Sequence, residues 1–581
     1  MKGQIATSFS TAARAATLAG KLTYGAKDWA GLTLLSTSLT SHLRAGAQRP
    51  ARFPHFGRRN SFVERRNGTD FLIANPKPNR QIGSAYSQFN LLQKLRFRLQ
   101  DRLELTANLQ FSTSSNVPRY DNLIEQRGII PRWARWDYGP QTRALAAVQL
   151  RDRRATRLYD VATYLISHQF IAEDRIARRF NDPLEEHNLE DVNTTNLQTD
   201  FSKMLGPQFT LRYGLDGRYD VVASTAFLRH VDTGEESVGL PTRYPSAGST
   251  LASAGAYLEG QGQLSPRWQL RGGLRLSRQR LRAKFGADDP VDWPQVYLAG
   301  ISNTESALTV SLGLQQEQGW RLLYAQGFRA PNIDDFAKFR ERNGFIQVPN
   351  VALQPERSHT LEAAYVFRDY RLFGRRFNAE LTGYHTWLRG AIARQAGTLP
   401  GGADFFISRG DTLHVQTNVN ANRARVWGVD AIVRYDLTDR LKLQTDFHYL
   451  HGRRQQRAPD GNLLTLPQDH IPPAYGATAL SWEKDGVAFG LRLRYQLAKQ
   501  VTDYAVGSIS GSAATGYVFD RSGTSDNLEL TPRLAEGGTY AGAYGWWTAN
   551  LWGEWSPAPT WTVRFKVDNL LDRHYRTFAS G

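Results

Sequence analysis

Trp320-Arg321-Leu322-Leu323-Tyr324-Ala325-Gln326-Gly327-Phe328-Arg329-Ala330-Pro331 opens as a strand and ends on a proline. Trp320, Leu322 and Tyr324 alternate with Arg321, Leu323 and Ala325, a mostly period-2 pattern. Pro331 has no ladder donor and stops the pairing. About 20 irregular residues follow, then Pro349-Asn350-Val351-Ala352-Leu353-Gln354-Pro355-Glu356, and a new strand-like run over 359–367. Strand, proline, loop, proline, strand also describes an ordinary long hairpin loop, so the words around it have to decide.

The same rhythm extends outward in both directions. Strand-like runs cover 4–9, 15–24 and 29–41, with only Ala26-Lys27-Asp28 between the second and third. A long polar segment, 42–85, precedes runs at 86–99 and 103–113, and another loop covers 114–140. Short turns are expected at Arg151-Asp152-Arg153, Gly206-Pro207, Ser265-Pro266, Gln318-Gly319, Thr438-Asp439, Lys484-Asp485-Gly486 and Ser556-Pro557-Ala558-Pro559. Long loops are expected near 170–190, 231–249, 283–303, 329–357, 391–417, 453–472 and 502–541. An antiparallel meander with short turns at one end and long loops at the other predicts an all-β transmembrane barrel. A propeller would show blade-length repeats, and none is visible.

Alternation within the strands sets the faces. Val487, Phe489, Leu491, Leu493, Tyr495 and Leu497 share one side, and Arg492, Arg494 and Gln496 the other. Trp268, Leu270, Leu274 and Leu276 oppose Gln269, Arg271 and Arg275, and Trp561, Val563 and Phe565 oppose Thr562, Arg564 and Lys566. A one-residue slip would turn arginines to lipid at about 2–4 kcal/mol each near the midplane, so the register is well specified.

Composition agrees with this reading and excludes others. In 581 residues no run of about 18 apolar residues occurs, so no transmembrane helix is expected. The 14 Trp and 24 Tyr suit interfacial girdles, or aromatic-rich strands in any all-β protein. With no cysteine, thiol catalysis, zinc-thiolate sites and disulfides are excluded. The net charge of +18 is spread along strands and loops, and no nucleic-acid-binding signature accompanies it, so no nucleic-acid partner is expected. Residues 1–20 lack a continuous apolar signal core.

No catalytic constellation emerges. Nucleophile elbows, phosphate loops and metal-binding His-Glu-Xaa-Xaa-His helices are missing, so the chain is not expected to be an enzyme, and neither a cofactor nor a resident metal is expected. His448 and His451 sit near a strand end, where solvated histidines are commoner than metal ligands, and His359 opens the strand after the second box as a rim residue. Arginines on the lumen side suit an anionic ligand, or neutralise acidic groups on a neighbouring domain or on lipopolysaccharide.

The two proline-bounded segments resemble the paired boxes of TonB-dependent outer-membrane receptors. Phe328, Arg329, Ala330 and Pro331 carry the first box, and Asn350, Leu353, Pro355 and Glu356 the second. The second departs from the family's usual Asn-Pro-Asn-Leu-Lys-Pro-Glu, with Val348 before Pro349 and Val351-Ala352-Leu353-Gln354 inside it. Val567-Asp568-Asn569-Leu570-Leu571-Asp572-Arg573-His574-Tyr575 resembles the family's penultimate-strand ending.

The resemblance implies a 22-strand barrel in the bacterial outer membrane, of which about 21 strands are counted here. It implies that residues 1–581 form one barrel domain, with a plug expected before Met1 and the last strand after Gly581. The two boxes would flank one extracellular loop. The implied function is energy-coupled uptake of a ferric siderophore or haem by a monomer, driven by the TonB-ExbB-ExbD complex through the plug, amid outer-membrane lipid and lipopolysaccharide. Val-Pro-Arg119-Tyr120-Asp and Thr-Arg243-Tyr244-Pro resemble segments of Bacteroidota haem or haemoglobin receptors, making Arg119, Tyr120, Arg243 and Tyr244 candidate ligand contacts. Such receptors usually carry a histidine ligand between the boxes, and 332–349 contains none. A passive porin and a partner-binding barrel without transport are the alternative functions.

Overall fold

The computed structural model describes residues 1–49, 57–127, 130–287, 291, 293–342, 345–399, 401–408, 410–421, 423–457, 462–468, 470–499, 503 and 545–578. Its principal sheet has 25 strands. Four are short additions: Val117–Pro118, Trp133–Tyr138, Glu236–Ser237 and Leu463–Pro467. The other 21 form the barrel wall, from Lys2–Ser10 to Trp561–Val567, each antiparallel to the next wall strand in the chain. Among the described residues no ladder joins the first wall strand to the last, and both are exposed along their length.

The alternation places the faces. Phe489, Leu491 and Leu493 are exposed, at 51%, 37% and 38%, on the apolar outside of the wall. Arg492 and Arg494 occupy the alternate positions. On that alternate face, acids one or two strands away take up many of the arginines: Arg321 meets Glu380 at 2.6 Å and Glu362 at 3.3 Å, and Arg271 meets Glu259 at 2.6 Å. Arg275 meets Asp216 at 2.8 Å, and Arg564 meets Glu554 at 2.6 Å. These arginines are neutralised within the wall itself.

Aromatic side chains mark two levels on the outside. Toward the short turns, Trp320 packs on Tyr365 at 5.1 Å between ring centroids and Phe377 on Tyr435 at 6.2 Å. Toward the long loops, His385 packs on Trp387 at 4.3 Å and Trp427 on Tyr449 at 5.4 Å. Phe377 and Trp387 lie on one strand, Arg375–Arg389. Their separation is about 33 Å of extended chain, or about 25 Å along the axis of a barrel whose strands tilt by about 40°. That matches the height of the apolar band of a membrane barrel, about 25 Å.

Several expected loops are more ordered than their sequences suggest. The expected long loop near 170–190 is a correction: Val161–Arg179 and Leu184–Met204 are strands of 19 and 21 residues, paired until the tight turn at 180–183. Their upper halves rise beyond the apolar band, where both faces are polar, so the period-2 contrast disappears although the ladder continues. The polar segment 42–85 contains a hairpin, Ser61–Arg66 with Thr69–Ala74. Loops 330–355 and 390–422 build a separate five-stranded sheet in which Phe345–Val348 pairs parallel to Asp411–Asn420. The expected loop at 502–541 lies outside the described residues, apart from Asp503.

Beneath that small sheet lies the main hydrophobic core. Leu281, Phe285 and Trp293 pack there with Ile333, Phe336, Phe339, Ile346, Leu353, Leu413 and Val415. The core therefore sits in a cap at the long-loop end. Leu491→Arg should destabilise the folded barrel by about 2–4 kcal/mol in urea titrations from lipid vesicles, whereas Arg492→Leu on the other face should cost much less. Equal costs would mean that the faces are misassigned.

Candidate functional site

Both boxes lie where the wall meets the cap. Gly319–Arg329 pairs with Glu356–Leu372 so that Arg329 stands opposite Glu356 and Phe328 opposite Arg357. The Arg329 guanidinium donates from Nε to Glu356 and from Nη1 to Asp335, the latter at 2.5 Å. The second carboxylate oxygen of Glu356 accepts from the Ile392 amide at 2.6 Å. Two wall strands and both cap loops are thus tied through one arginine and one carboxylate. Phe328 faces outward, with the Arg357 guanidinium 5.7 Å from its ring centroid.

The following residues start the cap. Ala330 and Pro331 are buried, and the Pro331 carbonyl accepts from Gln279 Nε2 at 3.1 Å. Asn332 accepts from the Asp335 amide at 2.8 Å while the Asp335 carboxylate accepts from the Asn332 amide at 3.2 Å. This reciprocal cap fixes the single helical turn Ile333–Phe336. Asp335 therefore serves the turn and Arg329 together.

The second box closes the same loop. Asn350 donates to the Asn418 carbonyl at 2.8 Å and accepts from the Ala352 amide at 2.8 Å. Leu353 is 1% exposed in the cap core. Gly390 has φ +66°, and a Cβ there would stand 3.0 Å from the Pro355 carbonyl oxygen. Glycine alone fits that approach without strain. The box residues brace the cap from below, and their polar atoms face each other.

The other candidates divide. Arg119 and Arg243 line one cavity of about 140 Å³, together with Arg132, Arg175, Trp133, Trp136, Phe339 and Phe406. Tyr120 and Tyr244 do not line it. Tyr120 lies beside Arg59, 5.6 Å from guanidinium to ring, and Tyr244 donates to Asp334 at 2.7 Å. Arg119 is held by Asp121, donates to the Tyr138 hydroxyl at 2.8 Å and lies over the Trp136 ring at 5.0 Å. Burial raises Tyr244 to about 12. Burial and the nearby Arg243 guanidinium bring Lys338 down to about 8, although Asp334 lies 2.5 Å from its Nζ.

Arg132, Arg175, Trp133 and Trp136 were not singled out in the sequence. They come from the short strand Trp133–Tyr138 and its surroundings, which fold against the rising end of Val161–Arg179. The short strand carries no periodicity that could have announced them. His448 meets Asp430 at 2.6 Å and Asp446 at 3.5 Å, and His451 packs on Trp427. His359 packs against Tyr324, with 2.9 Å between its Nδ1 and the hydroxyl. No group of three or more His, Asp or Glu side chains among the described residues is arranged to hold a metal.

The family model described as "TonB dependent receptor-like, beta-barrel" matches residues 33–570. The chain belongs to this family. A hemoglobin and hemoglobin-haptoglobin-binding protein of Haemophilus ducreyi is 29% identical over 194 residues, 31% of this chain and 19% of that protein. The copper transporter OprC superposes with a TM-score of 0.70 at 13% identity, over 99% of this chain and 74% of its own. The hemophore receptor HasR of Serratia marcescens, solved with its hemophore HasA and heme, gives 0.68 at 14% identity, over 99% and 78%. At these identities the superpositions show the barrel fold. β-Barrels of the TonB-dependent receptor family are bacterial outer-membrane proteins, and the family's members are receptors and transporters.

Leu353→Ala should cost about 2–5 kcal/mol, concentrated in the cap, because it empties a fully buried site. Hydrogen exchange across 332–353 should accelerate while the 487–496 ladder stays protected. The lowered Lys338 value has a fixed sign. Between about pH 8 and 10.5 the unfolded chain binds the extra proton, so stability rises with pH across that window. The stability difference between wild type and Lys338→Met should therefore shift in favour of wild type from pH 8 to 10, read by thermal melts in matched buffers.

Proposed function

We propose that this chain is the barrel of an outer-membrane receptor for energy-coupled uptake of a scarce iron-containing ligand, haem or a ferric siderophore. Residues 1–581 act as one barrel domain in this reading, monomeric, with its long loops outside the cell and the TonB-ExbB-ExbD complex supplying the energy. The observation that carries it is the family match across the wall together with a braced cap that holds an arginine-lined cavity. The hemoglobin-binding relative and the heme-bearing HasR complex support haem as the first ligand to test.

The cavity fits part of such a ligand. Its volume of about 140 Å³ is close to that of a cavity which accepts one benzene. It has room for a carboxylate arm or a single ring, not a porphyrin. Arg243 presents a buried Nε with no hydrogen-bond partner, and Trp133 and Trp136 flank the space. Arginine suits carboxylates because its planar fork bonds both oxygens.

The purified chain in uncharged detergent should bind haem or a ferric siderophore from a representative panel, read by Soret shift or tryptophan quenching. Arg243→Gln should weaken the preferred ligand about tenfold, the loss of one charge-assisted contact worth about 1.4 kcal/mol. Binding of neither class, or equal uptake by de-energised and energised cells expressing the complete receptor, would overturn the proposal.

A further inference from the structure

The arginines of the wall live in two different settings. On the inner face many meet acids on neighbouring strands, as Arg321 and Arg271 do with Glu362 and Glu259. On the outer face, at the long-loop end, one group of them meet each other. Arg357, Arg389 and Arg423 stand in one register row across three adjacent strands. Arg425 stands opposite Arg453 two residues further along. Arg357, Arg389, Arg423 and Arg425 are exposed and Arg453 is half-buried.

Their direction follows from their neighbours. Ala424, between Arg423 and Arg425, is 2% exposed, in a cluster against which Leu388 packs from the inner face. Arg454, next to Arg453, is 3% exposed. The five arginines therefore point away from the cap and the lumen. None has an acidic partner among the described residues, and the contact of Arg357 is the Phe328 ring. Like charges directly opposite on an antiparallel pair, with Cβ atoms about 4.5–5.5 Å apart, destabilise a sheet. A row of three with no counter-charge among the described residues calls for anions from outside it.

The level of the row identifies the source. Trp387 pairs with Arg425, and Trp427 and His451 are opposite each other one step below, so the row adjoins the upper aromatic girdle. Aromatic girdles sit at the headgroup level of a bilayer. Below them the outer wall has an apolar groove of about 680 Å³. Its floor is Ala363 opposite Gly383, and Leu322, Tyr324, Leu361 and His385 border it. Ala363 lies six residues from Arg357, about 20 Å of strand, or roughly 15 Å of depth at a tilt of about 40°. That is half of a hydrocarbon core about 30 Å thick.

We infer that this face is a binding site for one anionic lipid of the outer leaflet, its phosphates held by Arg357, Arg389 and Arg423 and an acyl chain lying in the Ala363–Gly383 groove. The site is separate from the cap cavity. It rests on the membrane orientation given above and is independent of which ligand the receptor imports.

The test uses the full chain in uncharged detergent, with native mass spectrometry as the readout. The probes are diphosphoryl lipid A, phosphatidylethanolamine and inorganic pyrophosphate. Diphosphoryl lipid A should bind at least about tenfold more tightly than either of the others. R357Q/R389Q/R423Q should lose about tenfold or more of that affinity, while R357K/R389K/R423K keeps most of it. A Cβ at Gly383 would meet no atom within 4 Å, so Gly383→Leu fills the groove without strain. That variant should weaken lipid A several-fold and leave pyrophosphate unchanged. Circular dichroism of each variant confirms the folded barrel before binding is compared. Unchanged lipid A binding by the folded glutamine triple variant overturns the site. Equal affinity for phosphatidylethanolamine, whose single phosphate is offset by its ammonium, overturns an anionic lipid as the occupant, and equal affinity for pyrophosphate overturns a lipid of any kind. Loss of haem or siderophore binding alone would bear on the cap cavity and leave this site intact.

Discussion

A chain that crosses a bilayer as strands must satisfy its backbone N–H and C=O groups within the wall, because lipid offers them nothing. The antiparallel ladders between successive strands meet that requirement, and the rest follows from it. Side chains are freed from holding the sheet together by a core, so one face can carry leucine and tryptophan for lipid and the other can carry ions. The wall needs no packed interior, and many of its interior arginines are satisfied by acids one or two strands away, as Arg321 is by Glu362 and Glu380.

What hydrophobic core exists is displaced to the rim. Leu353 and Phe336 are among the most deeply buried side chains of the protein, and both belong to the cap. A cap with its own core needs fixed attachment points, which the two boxes supply. Arg329 and Glu356 end two paired strands, and their charges reach upward to Asp335 and the Ile392 amide. Exposed ion pairs contribute little alone, but this one is a network with four elements at its corners. It converts the rigidity of the ladder into a fixed height and orientation for the loop between the boxes. The cavity beside that loop inherits the same frame through Phe339 and Ile346.

The sequence was most legible where a strand passes between water and lipid. Val487–Gln496 shows alternation because its two faces see different solvents, and its faces are as that alternation implies. Above the apolar band charged residues fall on both faces, several of them buried under other loops, so Val161–Arg179 and Leu184–Met204 read as loop although their ladder runs on. Arg329, Glu356 and Leu353 were found through resemblance, and composition alone would have left them as loop punctuation. Arg119 and Arg243 share a cavity that also needs Trp133, Phe339 and Phe406, brought from three other segments. No local pattern encodes such a meeting, since it depends on how the loops fold over the mouth.

Charge on this protein is therefore informative by its partner, not by its amount. A net charge of +18 would ordinarily suggest a polyanion as ligand. The structure divides that charge into three populations. Many inner-face arginines, Arg321 and Arg271 among them, are cancelled by wall acids and contribute structure. Cap arginines such as Arg119 and Arg243 are held by neighbouring acids or aromatic rings around a small cavity, which suits selective contact with one anionic group. The outer-face row of Arg357, Arg389 and Arg423 has no acidic partner among the described residues and lies where a membrane places phosphates. The same residue type does three jobs because the barrel offers three dielectric settings, and a strand moves from one to another simply by alternating sides.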